Sequence, residues 1–166
     1  MKKIVLSLVL TLTTILTFAQ NTSASATNFA GSADMFYKYD FSEQQKQTTS
    51  TSFTNSHNSF ELGMASIEAS HKKGKASVFL DLGFGKRASE FTSNDAPTTF
   101  MIKQLNFTYE FSDKFKVIAG SFGTHIGYEL LDAVDNKNYS MSYAFTNGPF
   151  FNTGVKGQYT SGKFSV

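Results

Sequence analysis

The side chains of this sequence that could do chemistry are few and poorly placed for it. His57, His71 and His125 are its only imidazoles, and there is no cysteine to join them in a thiolate site. A zinc site needs three or four nitrogen, sulfur or carboxylate ligands converging on one point. The alternation of strands and turns puts His71 at one end of the strands and His57 and His125 at the other, so they read as surface or interfacial residues. Asp132-Ala-Val-Asp135-Asn-Lys-Asn138 is rich in oxygen, but it lacks the spacing, the central glycine and the terminal glutamate of a calcium loop. Gly83-Phe-Gly85 and Gly120-Ser-Phe-Gly123 are followed by no helical pattern, so they are not phosphate loops. Glycine there makes room inside a barrel or marks a bulge. No Gly-x-Ser-x-Gly elbow presents a nucleophile. The expectation is therefore no catalytic residue, no metal, no cofactor and no enzyme.

The charged residues are more informative, because they fall in rows. Asp34, Lys38, Asp40, Glu61, Asp81, Arg87, Glu110 and Lys156 each lie on the polar side of a segment that alternates apolar and polar residues. Both charge signs occur, which suits the lining of a water-filled pore where opposed charges order water and favour polar solutes. A solvated face without a selective role would have the same row. A second group, Glu129, Asp132 and Asp135 with the single cation Lys137, sits in the long segment from His125 to Pro149. That segment is expected to fold inward, narrow the pore and bias it toward cations, since carboxylates lower the energy of a passing cation. Lys103 is the one charge on an apolar row. At the middle of a membrane it would cost about 2–4 kcal/mol, but so near the start of its strand it is expected to snorkel toward headgroup phosphates.

The elements that position these rows are strands. The chain carries Phe 18 and Tyr 7 against Pro 2 in 166 residues, and aromatics favour pleated surfaces. Lys2 and Lys3 precede an apolar run from Ile4 to Phe18, and Thr17-Phe18-Ala19 supplies small residues where a signal peptidase reads. Residues 1–19 are read as a cleaved export signal, since the run falls short of the roughly 20 apolar residues of a spanning helix. Cleavage removes Lys2 and Lys3, so the net charge of +2 falls to zero. No basic stretch with interleaved aromatics remains to suggest nucleic acid. Residues 20–28 read as a flexible leader, and residues 29–166 as the barrel.

Phe29, Gly31, Ala33, Met35, Tyr37, Tyr39 and Phe41 form one row of the first segment, with Phe36 an apolar exception on the polar side. In the second, Ser59 to His71, Phe60, Leu62 and Met64 are in phase and Ile67 and Ala69 are not. A bulge near Ala65 or Ser66, or a lumen-facing Ile67, accounts for the switch. The third has Ala76, Val78, Leu80, Leu82 and Phe84 on one side. The fourth has Met101, Lys103, Leu105, Phe107, Tyr109 and Phe111. The fifth, Phe115 to Thr124, is ambiguous, because Val117 and Ala119 compete with Ile118 and Phe122. The sixth runs from Phe150 to Thr160, and the chain stops just after Phe164.

Tight turns at Lys72–Lys75, Ser112–Lys114 and Ser161–Lys163 alternate with the long connections Ser42–Asn58, Ala88–Thr99 and His125–Pro149. Outer-membrane barrels have this asymmetry, with short periplasmic turns and long external loops. The fold class predicted is thus all-β: an antiparallel up-and-down transmembrane β-barrel, incomplete, with about six strands and the start of a seventh. Tyr37, Tyr39, Phe41, Phe60, Phe91, Phe100 and Phe150 would form an outer aromatic girdle, and Phe111, Phe115 and Tyr159 an inner one.

Several stretches resemble the OmpL-like β-barrel porin family of Gram-negative outer membranes. They are Gly31-Ser-Ala-Asp-Met-Phe-Tyr-Lys-Tyr-Asp-Phe, Thr54-Asn-Ser-His-Asn-Ser-Phe-Glu-Leu-Gly-Met-Ala, Asp81-Leu-Gly-Phe-Gly-Lys-Arg, Ala119-Gly-Ser-Phe-Gly-Thr-His-Ile-Gly-Tyr-Glu and Asn138-Tyr-Ser-Met-Ser-Tyr-Ala-Phe. The resemblance spans nearly all of the chain after residue 28. It implies a barrel that lets small polar solutes cross the outer membrane, with no catalytic residues to carry over. Members of that family are longer, so the chain is expected to be an N-terminal part of such a barrel.

The function expected is a porin-like channel for passive diffusion of small hydrophilic solutes, located in the cell outer membrane. Its partners would be outer-membrane lipid and small polar solutes, with no nucleic acid; a homo-oligomer is compatible with the sequence. The alternative is a non-conducting barrel that displays its external loops for adhesion or assembly. A soluble exported ligand-binding barrel is a third reading, which detergent dependence would eliminate.

Overall fold

The computed structural model describes residues 25–41, 51–91 and 102–166. The export signal and Phe100 lie outside the described residues. Seven strands follow one another as neighbours in a single antiparallel sheet curled into a half-barrel. They are β1 (Ser25–Lys38), β2 (Ser59–Lys73), β3 (Ala76–Phe84), β4 (Ile102–Ser112), β5 (Phe115–Gly123), β6 (Phe151–Ser161) and the short β7 (Phe164–Ser165). A short helix α1 (Lys86–Phe91) follows β3, and a four-residue helix α2 (Tyr143–Thr146) precedes β6. β1 already begins at Ser25, paired with Lys73, so Ser25–Asn28 is strand and not a flexible leader.

The short connections are the expected turns. Gly74 and Gly162, both at φ +59, sit in hairpins closed by Lys73↔Ala76 and Ser161↔Phe164, and Ser112↔Phe115 closes the third. Alternation assigns the faces. Met35, Tyr37, Phe60, Ile67, Val78, Leu105, Phe107, Phe111 and Val155 are exposed on the outer row, while the inner row of β3 and the inner residues from Asp34 to Lys38 and from Glu61 to Ser70 are half-buried or buried. In β5, Tyr109↔Val117 and Phe107↔Ala119 put Val117 and Ala119 outward. Ile118 and Phe122 are buried on the inner face.

Two bulges move residues to the face opposite the one expected. Asp34 pairs with Met64 and Met35 with Leu62, so the extra residue of β2 is Gly63 and not Ala65 or Ser66. Met64 consequently turns inward, 1% exposed, and Ile67 stays outward. In β4, Asp81 pairs with Gln104 and Leu82 with Ile102. The extra residue there is Lys103, which therefore faces inward beside Gln104 instead of toward headgroups.

Among the described residues the sheet has no second layer to pack on. The buried apolar cluster lies instead among the external connections: Phe53, Phe91, Met141 and Phe145, with Leu131, Phe150 and Phe151 against them. Phe91 and Phe150 thus belong to this cap and not to an outer girdle. Tyr37, Tyr39, Phe41 and Phe60 do line the outer end, exposed and with Tyr37 and Phe60 rings 4.9 Å apart. Tyr109, Phe111 and Phe115 form the corresponding chain of rings at the turn end.

Candidate pore lining and the loop across it

Of the inner-row charges, Asp34, Lys38, Glu61, Asp81, Glu110 and Lys156 all lie on the inner face, and Asp40 continues the row just beyond β1. Lys38 Nζ donates to the Thr54 carbonyl at 2.8 Å, and Glu61 accepts from Ser59 Oγ at 2.9 Å. The Asp40 backbone N–H donates to His57 Nδ1 at 3.2 Å. Glu110 pairs with Lys72 at 2.6 Å near the turn end. Lys156 Nζ lies 4.6 Å from the centre of the Phe122 ring. Arg87 differs: it sits in α1 beyond the strand and is fully buried, so no solute path reaches its guanidinium.

The segment from 124 to 150 crosses the inner face and is tied at three places, two on that face and one on α1. The first is an ion cluster. Lys103 Nζ donates to Asp132 Oδ2 at 2.7 Å and to Ser66 Oγ at 2.9 Å, and Ser66 Oγ donates to the same Asp132 oxygen at 3.0 Å. Asp81 Oδ1 lies 3.0 Å from the ammonium without hydrogen-bond alignment. Lys103 and Asp81 are 3% exposed and Asp132 8%. The lysine stem runs over Gly83, where any Cβ would collide with it.

The second tie joins the Tyr139 hydroxyl, as donor, to Asp34 Oδ1. The Gly63 bulge gives them room, since a Cβ at residue 63 would meet both groups. The Tyr139 ring also meets Phe36 at 5.4 Å, which is the use found for the apolar exception on the polar side of β1. Burial, then the hydrogen bond to Asp34, push the Tyr139 hydroxyl up to about 12.

Arg87 makes the third tie, donating to the carbonyls of Leu131 at 3.1 Å and Tyr139 at 3.2 Å. Its guanidinium carbon is 5.1 Å from the Phe53 ring centre and 5.3 Å from that of Tyr139. Cation–π contact helps hold this buried charge.

The loop charges named from sequence separate. Asp132 reaches the wall, whereas Glu129 accepts from the Ser142 backbone N–H at 2.9 Å and from its hydroxyl. Asp135 and Lys137 are exposed. Between loop and wall lies a cavity of about 130 Å³, lined by Glu68, Asp81, Glu129, Asp132 and Asp135 with Lys103. Five carboxylates thus face one ammonium. The charge of the lining is therefore predominantly negative. Sequence reasoning missed Lys103, because the bulge reverses its side, and Tyr139, because its partner is 105 residues away. Glu68 was missed as well, although a bulge in β2 places it on the inner row with Ser66 and Ser70.

The family model described as "Putative beta-barrel porin-2, OmpL-like" matches residues 26–166. The chain belongs to this family. Membership in the porin-2 family makes it an outer-membrane β-barrel protein of porin type. No curated protein and no solved structure matches the chain. Within this porin-2 barrel, the match takes in every described strand except the first residue of β1.

Proposed function

We propose that the protein is a passive channel for small hydrophilic solutes, working without covalent chemistry and carrying the segment 125–149 as its constriction. One observation carries this reading: the strands present apolar rows outward and charged rows inward, and the loop crosses the charged side. An outer row of this kind suits hydrocarbon, and a mixed-charge inner row suits water. The carboxylate excess around the loop supports a preference for cations. Residues 1–19 act as the export signal, and a mature terminus at Gln20 would be seen by mass spectrometry.

The test is single-channel recording on protein extracted from outer membranes. Discrete steps that scale with salt, with a reversal potential favouring cations, are expected. Their absence would favour the alternative, loop display for adhesion or assembly. Ile126, Tyr128, Leu130, Val134 and Tyr143 give that alternative its support, because the loop leaves these large side chains exposed. A homo-oligomer covering them is part of the same alternative.

A further inference from the structure

We propose that Lys103 is the positioning residue of the constriction: its ammonium clamps the loop to the wall and sets the charge of the passage. The inference rests on the channel reading above and deepens it. Lys103 meets carboxylates from two separate elements, Asp81 on β3 and Asp132 on the loop, so it is the cation that allows both to occupy one buried place. The site is shaped for it. The bulge turns the side chain inward, Gly83 leaves space for the stem, and Ser66 takes a second donor hydrogen.

A buried ion cluster is a poor source of stability in itself, because desolvation offsets most of the attraction, and apolar residues of similar volume serve as well or better. Its distinctive consequence is electrostatic. Glu68 faces Asp81 from β2, and Glu129 and Asp135 border the same cavity from the loop. With Lys103 in place the lining carries an excess of four carboxylates over ammonium groups. Without it, Asp81 and Asp132 repel one another and the loop is driven off the wall, while the excess becomes five. Losing the charge of Asp132 also releases the loop, but lowers the excess to three.

Two variants therefore separate a clamp from a merely structural residue. In bilayer recordings on protein extracted from outer membranes, Lys103→Met and Asp132→Asn should both raise conductance. Their cation-to-anion permeability ratios should move in opposite directions. Lys103→Met raises the ratio and Asp132→Asn lowers it, each by about fivefold or more, the effect of one unit charge acting across about 4 Å of water. Lys103→Arg, which keeps the charge, should retain the wild-type ratio and serves if the methionine variant does not fold. A ratio shifted by Lys103→Arg as far as by loss of charge would overturn the clamp. So would parallel shifts in Lys103→Met and Asp132→Asn, or unchanged conductance in both. A wild-type protein that does not conduct would overturn the channel reading itself, and this inference with it.

Discussion

Gly83 lies directly beneath the side chain of Lys103, whose stem, with the sulfur of Met64, occupies the space a Cβ would fill, and it pairs across the sheet with Ser66, the lysine's hydroxyl partner. The Cγ of Lys103 would be 2.9 Å from such a Cβ, and Met64 Sδ 3.0 Å from it. A flexible stem can ordinarily yield, but this one is held at its far end by Asp132 and Ser66. Gly83→Ala is expected to destabilise the protein by about 1–3 kcal/mol, the usual range for overpacking. It should also shift Lys103 enough to raise conductance toward that of Lys103→Met. Denaturant unfolding and bilayer recording check the two parts separately.

The faces of β3 can be read with cysteine labels. Probes at Val78, Leu80 and Leu82 should report lipid, because these residues share the outer row. A probe at Ser77 should report water. Asp81 and Gly83 lie on the same row as Ser77 but under the loop, Asp81 only 3% exposed, so labels there should react slowly until the loop is released. Equal accessibility on both rows would remove the barrel assignment, since a slip of one residue exchanges every side chain between faces.

These two sites also show where reading the sequence stops. Period-two alternation and glycine turns made β1, β3 and the hairpins legible, because each is a local consequence of the pleat and of positive φ. A bulge leaves a weaker mark: the phase switch in β2 pointed to one but not to its position, and nothing marked the one in β4. One added residue at Gly63 turns Met64 inward, and one at Lys103 converts an apparent lipid-facing charge into the centre of an ion cluster. The loop's direction was legible from its length and carboxylates, but its anchors were not. Tyr139 finds Asp34, and Arg87 finds the carbonyls of residues 131 and 139, by tertiary contact alone. The same ignorance placed Phe91 and Phe150 in a girdle when they build the cap.

Arg87 should be the least replaceable residue of that cap. Its planar fork bonds two loop carbonyls while its faces meet Phe53 and Tyr139. Lysine offers neither the fork nor the flat face. Arg87→Lys is expected to cost about 3 kcal/mol, the scale of hydrogen bonds to a buried charge. Proteolysis of the segment 125–149 should speed up, while the strands keep their pairing. A loop as resistant as in the wild type would show that Arg87 is not an anchor.

Alkaline pH should loosen the loop at Tyr139. The hydroxyl, ordinarily at 10.0, is raised to about 12 by burial and by Asp34, which means that the docked loop favours the neutral phenol. Its contribution is fully present below about 10 and is lost as pH rises through about 12. Phenolate absorbance should reveal one tyrosine titrating late, and Tyr139→Phe should abolish that late step. The variant keeps the ring against Phe36 but loses the donor to Asp34, at a cost of about 1–3 kcal/mol. A late step that survives the substitution would assign the shift elsewhere.

The edges of the sheet give the last prediction. Among the described residues β1 pairs with β2 alone, and β6 pairs on its other side with only the two residues of β7, so much of β1 and β6 carries backbone groups without strand partners among those residues. In hydrocarbon each unpaired group costs several kcal/mol, and spanning sheets are closed for that reason. The smallest bacterial barrels close with eight strands, more than the seven present in this sheet. The 166-residue chain, refolded alone into liposomes, should therefore join its edges to other copies, aggregate or stay at the surface. It should yield no discrete monomer conductance and no heat-modifiable monomer band on gels. Cysteines placed near Phe29 in β1 and Val155 in β6 should cross-link between chains and not within one. A stable monomeric channel with an intrachain cross-link would mean that β1 and the last strands can meet, and the open sheet would have to be redrawn as a closed one.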